Sequence, residues 1–107
     1  MVALISRAEL DAELRAGTVA VVDALPASYY ESRHLPGALN LVAADVAAQA
    51  SKLLPDRDAA IVTYCSNAAC PNSDQVARQL VAHGYTNVRR YEPGIEDWVE
   101  AGLPTEP

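Results

Sequence analysis

Along this chain, apolar and polar positions fall into two patterns: short apolar runs, and stretches in which apolar residues recur at helical spacing. Ala8-Glu9-Leu10-Asp11-Ala12-Glu13-Leu14 is of the second kind. Ser6 and Glu9 can open it as a capping box and Gly17 can end it, so the pattern predicts a first amphipathic helix. Thr18 to Val22 is a continuous apolar run, the kind of strand buried on both faces of a parallel sheet, and Asp23 closes it. Pro26 can open a helical turn through Tyr29, Tyr30 and Glu31. Pro36-Gly37 is a turn signal, and Ala38 to Leu41 leaves room for only a short strand. Ala43 to Leu54 is Ala-rich, predicted helical and stopped by Pro55.

Ala59 to Tyr64 is the second strong strand, running straight into Cys65. After a stretch of small polar residues, Asn72 followed by Gln75 reads as a helix start, and Val76, Leu80 and Val81 are predicted to share the helix's inner face. His83 suits the last turn and Gly84 the stop. Val88 to Tyr91 is a third strand, Pro93-Gly94 a turn, and Ile95 to Glu100 a short helix ended by Gly102. The tail from Leu103 to Pro107 is expected to be extended and frayed. Strands alternating with helices over 107 residues predict a single α/β domain, residues 1–107. Its architecture is three-layered, a mainly parallel sheet flanked by helices. Ligands bind such sheets at the carboxyl ends of the strands.

Composition narrows the partners. Half of the residues are hydrophobic although Phe is absent, so Val, Leu, Ala and Ile must build the core. The net charge of −6, with no basic run, argues against nucleic acid or an anionic membrane surface. No apolar stretch approaches the ~18 residues a spanning helix needs, and the first ten positions show no leader pattern. Two cysteines are too few for a disulfide scaffold. The expectation is a cytoplasmic monomer with reduced thiols.

The chemistry concentrates where the strand Ile61-Val62-Thr63-Tyr64 meets Cys65. A thiol at a strand end, with loop amides and a helix start beyond it, is placed to have its anion favoured, and the thiolate is the nucleophile. Cys65 is therefore the candidate nucleophile, and Ser66, Asn67, Ala68 and Ala69 are the loop expected to cradle its substrate. Cys70 is either a resolving thiol for Cys65 or a passive small residue. Asp23 is as well explained by bonding to nearby backbone as by catalysis. Among soft metal ligands only Cys65, Cys70, His34 and His83 are available, without paired spacing, so neither metal nor cofactor is expected. Trp98, Tyr29 and Tyr30 are expected to pack, and Glu9, Asp11, Glu13, Glu96 and Asp97 to form a solvated face. Arg33, Arg89 and Arg90 are the nearest thing to an anion-binding reserve, though nothing in the sequence places them near the loop.

Five stretches follow one another in order along the chain: Val21-Val22-Asp23, His34-Leu35-Pro36-Gly37-Ala38-Leu39-Asn40, Val62-Thr63-Tyr64-Cys65, Gly84-Tyr85-Thr86-Asn87-Val88 and Trp98-Val99-Glu100-Ala101-Gly102-Leu103-Pro104. Together they resemble the rhodanese-like domain, the sulfurtransferase family. The resemblance implies that Cys65 accepts a sulfane sulfur as a persulfide and passes it to a thiophilic acceptor. It makes Asp23 and His34 structural supports. The partners it implies are a small-molecule or protein sulfur donor and a thiol acceptor. The loop departs from the family's Cys-x-x-Gly-x-Arg-Ser, with Ala68 for the Gly, Cys70 for the Arg and the serine displaced to Ser73. Lacking that guanidinium, the loop argues against thiosulfate as donor and for a protein or low-molecular-weight persulfide. Pro71, six residues after Cys65, stands where phosphatase relatives need an arginine, which argues against that chemistry. Two alternatives remain beside sulfur transfer: a non-catalytic binding or regulatory module, and a Cys65–Cys70 thiol–disulfide switch.

Overall fold

The computed structural model describes residues 2–107. Its strands are β1 (Ala3–Leu4), β2 (Ala20–Asp23), β3 (Leu39–Asn40), β4 (Ile61–Tyr64) and β5 (Val88–Tyr91). Its helices are α1 (Arg7–Ala16), α2 (Ala27–Ser32), α3 (Val46–Leu53), α4 (Asn72–Ala82) and α5 (Gly94–Glu100). The strands form one five-stranded parallel sheet in the order β1-β5-β4-β2-β3. The expected α/β architecture is thus present. β4 lies at the centre and is buried along its whole length, as an unbroken apolar run requires.

Alternation along the strands sorts side chains between two helical layers. Arg89 and Tyr91 face α1 and α5, through Glu13 and Trp98 respectively. Arg90 and Thr63 face α4, both reaching Ser73. The core between these layers is aliphatic, with Leu10, Leu35, Leu41, Ile61, Val62, Val76 and Leu80 fully enclosed beside Trp98, Tyr64 and Tyr91.

Most predicted boundaries move for local reasons. The Ser6–Glu9 capping box forms, and Gly17 takes the left-handed conformation that ends α1. Thr18 then bonds back to the Glu13 carbonyl, so β2 starts at Ala20 instead of Thr18. The Ala43–Leu54 stretch divides into a 3-10 turn, Ala43–Asp45, and α3, which stops at Leu53 because Leu54, ahead of Pro55, leaves the helical conformation. Asn72 does not cap α4: Pro71 occupies the cap position and the Asn72 amide donates to the Ala24 carbonyl instead. Val81, five residues beyond Val76, turns out of the inner face and is 52% exposed. Tyr29, expected to pack, is 61% exposed.

Two further departures come from pairing, not propensity. β1 is an edge strand of two residues, too short for any periodicity, and exists because Ala3 and Leu4 pair with Arg89 and Arg90. The tail is tied down: Glu106 exchanges both backbone hydrogen bonds with His34, its carboxylate accepts from the Gly37 N–H, and the Trp98 indole donates to Pro104.

Candidate functional site

From β2 the chain continues outward to β3, and from β4 it continues in the opposite direction to β5. The carboxyl ends of β2 and β4 therefore flank the point where the connections diverge, the usual place for a crevice in such a sheet. A cleft of about 300 Å³ lies there, lined by Leu25 after β2, Ser66 after β4, Tyr29, Ser32 and Arg33 from α2 and its end, and Ile95 and Glu96 of α5.

Cys65 follows β4 directly and is only 1% exposed. Its Sγ accepts the Ser73 N–H at 3.3 Å, lies 3.3 Å from the Ser73 hydroxyl, and directs its S–H to the Cys70 carbonyl at 3.3 Å. Burial pushes the Cys65 thiol up, the Cys70 sulfur adds to this, and the Ser73 hydroxyl and N–H pull the other way; the net direction is upward. At Cys70 burial also raises, but the Cys65 thiol, the Asn72 and Ser66 N–H groups and the Ser66 hydroxyl outweigh it, and the net direction is downward. The Ser73 N–H at the start of α4 serves Cys65, as the sequence expects, but burial outweighs it. The loop bends so that the Asn72 and Ser66 N–H groups favour the Cys70 anion instead.

Loop geometry explains the bend. Asn67 turns the loop on itself: its carbonyl accepts the Cys70 N–H at 3.1 Å and its side-chain oxygen accepts the Ala69 N–H at 3.0 Å. The Asn67 amide donates to Glu96, and the N–H groups of Ile95 and Glu96 hold the Cys65 and Ser66 carbonyls. Gly94 makes this approach feasible. It has φ +76°, and a Cβ there would meet the Cys65 carbonyl oxygen at 2.5 Å.

The other candidates divide clearly. Asp23 is fully buried under the cleft, accepting the Leu25 N–H at 2.8 Å and the Tyr64 hydroxyl at 2.7 Å. Burial is the main reason its carboxyl lies above the ordinary range. His34 stacks on Tyr30 with Nδ1 on the Tyr30 carbonyl, and Nε2 is 3.7 Å from Glu106. Both residues brace the turns around the site, and neither makes a hydrogen bond to Cys65. Glu13 and Asp97 are not a merely solvated face: they pair with Arg89 and Arg7.

Of the three arginines, Arg89 is committed to Glu13, and Arg33 stands in the cleft with no side-chain partner among the described residues. Arg90 lies under the loop, donating Nε–H to Ser73 Oγ at 2.8 Å and an Nη–H to the Cys70 carbonyl at 3.1 Å. Sequence reasoning missed this placement. The available signal was strand alternation, which puts Arg90 on the opposite face from Arg89.

Fold and site together define a class: a parallel α/β domain presenting a hydrogen-bonded thiol at the end of its central strand. A family model described as the rhodanese-like domain matches residues 6–101, and the chain belongs to that family. It is 38% identical over 105 residues to the HTH-type transcriptional regulator Rv0324 of Mycobacterium tuberculosis, a match covering 95% of this chain. The match covers 44% of that relative, so the chain spans less than half its length. Among solved structures, the BH2092 protein from Bacillus halodurans superposes with a TM-score of 0.89 at 25% identity, over 97% of this chain and 76% of that one. A thiosulfate sulfurtransferase from Pseudomonas aeruginosa superposes at 0.81 over 98% of this chain and 20% of that one; at 20% identity it shows the fold alone. Among the described residues, no helix is long and apolar enough to cross a membrane.

Proposed function

We propose that the domain carries sulfane sulfur on Cys65. The observation behind this reading is the placement of Cys65 at the end of β4, with the Ser73 N–H donating to its sulfur and the Ser73 hydroxyl 3.3 Å from it. The Cys65 thiolate attacks the outer sulfur of a persulfide donor. A Cys65 S–S bond forms while the donor's own S–S bond breaks, and the donor leaves as a thiolate. An acceptor thiolate then takes the outer sulfur and returns Cys65 to its thiolate, with no net redox change. The cleft beside Ser66, lined by the cation of Arg33 and the acid of Glu96, suits a small zwitterionic persulfide better than a dianion.

The test is to incubate reduced protein with cysteine persulfide, inorganic polysulfide or thiosulfate and to read the Cys65 peptide by mass spectrometry. The expected result is a gain of one sulfur atom from the persulfide donors, lost in Cys65→Ser with the fold retained. No adduct from any donor overturns the reading.

A second reading, a regulatory module, is favoured by the likeness to a protein named as a transcriptional regulator. In that reading the Cys70 thiolate attacks the inner sulfur of the Cys65 persulfide. A Cys65–Cys70 disulfide forms and hydrosulfide leaves. A loss of two hydrogens after donor treatment, abolished by Cys70→Ser, would select it.

A further inference from the structure

Arg90 enters the site from β5, and its side chain, 12% exposed, is held on three sides: by Ser73 Oγ, by the Cys70 carbonyl and by Glu92 at 3.3 Å. We propose that Arg90 is the positioning residue of this site, aligning the Ser73 hydroxyl on the Cys65 sulfur and fixing the carbonyl that receives the Cys65 S–H.

Hydrogen-bond polarity leads to this assignment. A guanidinium donates and cannot accept, so Ser73 Oγ, 2.8 Å from Nε, must be the acceptor there. The serine's single hydroxyl hydrogen is thereby free for another partner, and Cys65 Sγ lies 3.3 Å away. Ser73 is fully buried, so no water competes for that hydrogen. The Ser73 N–H reaches the same sulfur, so the thiolate gains two donors from one residue. The Cys70 carbonyl has two lone pairs; one accepts the Cys65 S–H and the other Arg90. When the thiol ionises, the carbonyl keeps its arginine and the loop has no reason to reopen.

This is a different task from that of an arginine within the loop. Arg90 does not line the cleft, so it does not grip a donor; Arg33 does line it. Its effect on Cys65 passes through Ser73. The charged and titratable groups that meet the loop are Cys70 itself, Arg90 and Glu92 from β5 and its edge, Glu96 of α5 through Asn67, and Arg33 across the cleft.

The inference rests on Cys65 being the working thiol, as in the sulfur-carrier reading, but not on the donor it uses. Its test is therefore alkylation: the rate of iodoacetamide addition to Cys65 against pH, read by mass spectrometry. A Cys70→Ser background leaves a single cysteine to titrate. In Arg90→Gln the midpoint should rise by about one pH unit, lowering the rate at neutral pH about tenfold. Ser73→Ala should shift it similarly, and the double variant by clearly less than the sum, because the two act in series. Arg90→Lys keeps the charge but cannot make both contacts, and should recover less than half of the shift. An unchanged midpoint in a folded Arg90→Gln, additive shifts, or full recovery with lysine overturns the proposal. If Arg90→Gln does not fold, unchanged midpoints in both Arg90→Lys and Ser73→Ala do so. Shifts as expected in a protein that takes sulfur from no donor would remove the carrier reading and leave the positioning role in place.

Discussion

Arg89 and Arg90 are adjacent on β5 and lie on opposite faces of the sheet. On the α1–α5 face Arg89 forms a two-pronged pair with Glu13 at 2.6 and 2.9 Å, and its Nε–H is buried without a partner among the described residues. On the α4 face Arg90 spends its Nε–H on Ser73 and an Nη–H on the Cys70 carbonyl. The same divide runs through β4. Tyr64 points to the first face and closes on Asp23, while Thr63 points to the second and holds the Ser73 carbonyl at 2.9 Å. One face is fastened by pairs that end in themselves, and the other by bonds that converge on the residues around a thiol. A side chain's part in the site is set by which face its position in the strand gives it.

The substitution with the largest expected effect acts where the faces meet. Gly94 opens α5 yet lies against the backbone of Cys65 and Ser66, with φ +76°. Gly94→Ala combines a left-handed backbone cost with a backbone clash, for about 2–4 kcal/mol of destabilisation by urea unfolding. Because the loop must yield, the alkylation rate of Cys65 should change as well. A stable variant with unaltered thiol reactivity would show that the faces are not coupled there.

Tyr64→Phe tests the separation from the other side. It strips Asp23 of a donor and the Leu35 N–H of its acceptor, both buried, for about 1–3 kcal/mol. Cys65 reactivity should stay as it was. The pH sign follows from Asp23, whose carboxyl is raised by burial and lowered only in part by Tyr64. A raised acid contributes stability fully below its unfolded value, about 4, and loses it as pH rises through the folded value. Removing the Tyr64 hydroxyl raises that value further, so the loss should be greater at pH 7 than at pH 4. Equal losses at both pH values would show that Asp23 does not feel this bond.

How much of this was legible in the sequence depends on the range of the interactions. The Ser6–Glu9 cap, the β4 run and the glycine stops are local signals, and the elements they predict are present. Alternation of strands and helices was enough for a parallel α/β sheet, and Cys65 falls at the end of its central strand as read. The anion preference was legible only in part. The Ser73 N–H does reach Cys65, but the depth of burial that opposes it is not a local signal. Nor is the fold of the loop at Asn67, which turns the Asn72 and Ser66 N–H groups to Cys70. Arg90 was missed for a related reason. Alternation separates it from Arg89, but only the strand order, with β5 beside β4, puts its face under the loop.

The smallest expected effect belongs to the same Arg-to-Lys change made one residue earlier. Arg89→Lys breaks the two-pronged geometry with Glu13 but keeps a positive charge and removes the unpartnered buried Nε–H. The gain and the loss oppose each other, so stability should change by no more than about 1 kcal/mol, in the range of partly exposed pairs. The pH dependence is more telling. The hydrogen bond from Arg89 holds Glu13 below the ordinary carboxylate value. That stability is present above the unfolded value and is lost as pH falls through the depressed one. Lysine, a weaker partner for a carboxylate fork, should shrink the loss seen between pH 7 and pH 3. The Cys65 alkylation midpoint should not move. If Arg89→Lys shifted that midpoint as far as Arg90→Lys, the thiol would respond to side chains on either face of β5, and the contrast between the two faces would fail.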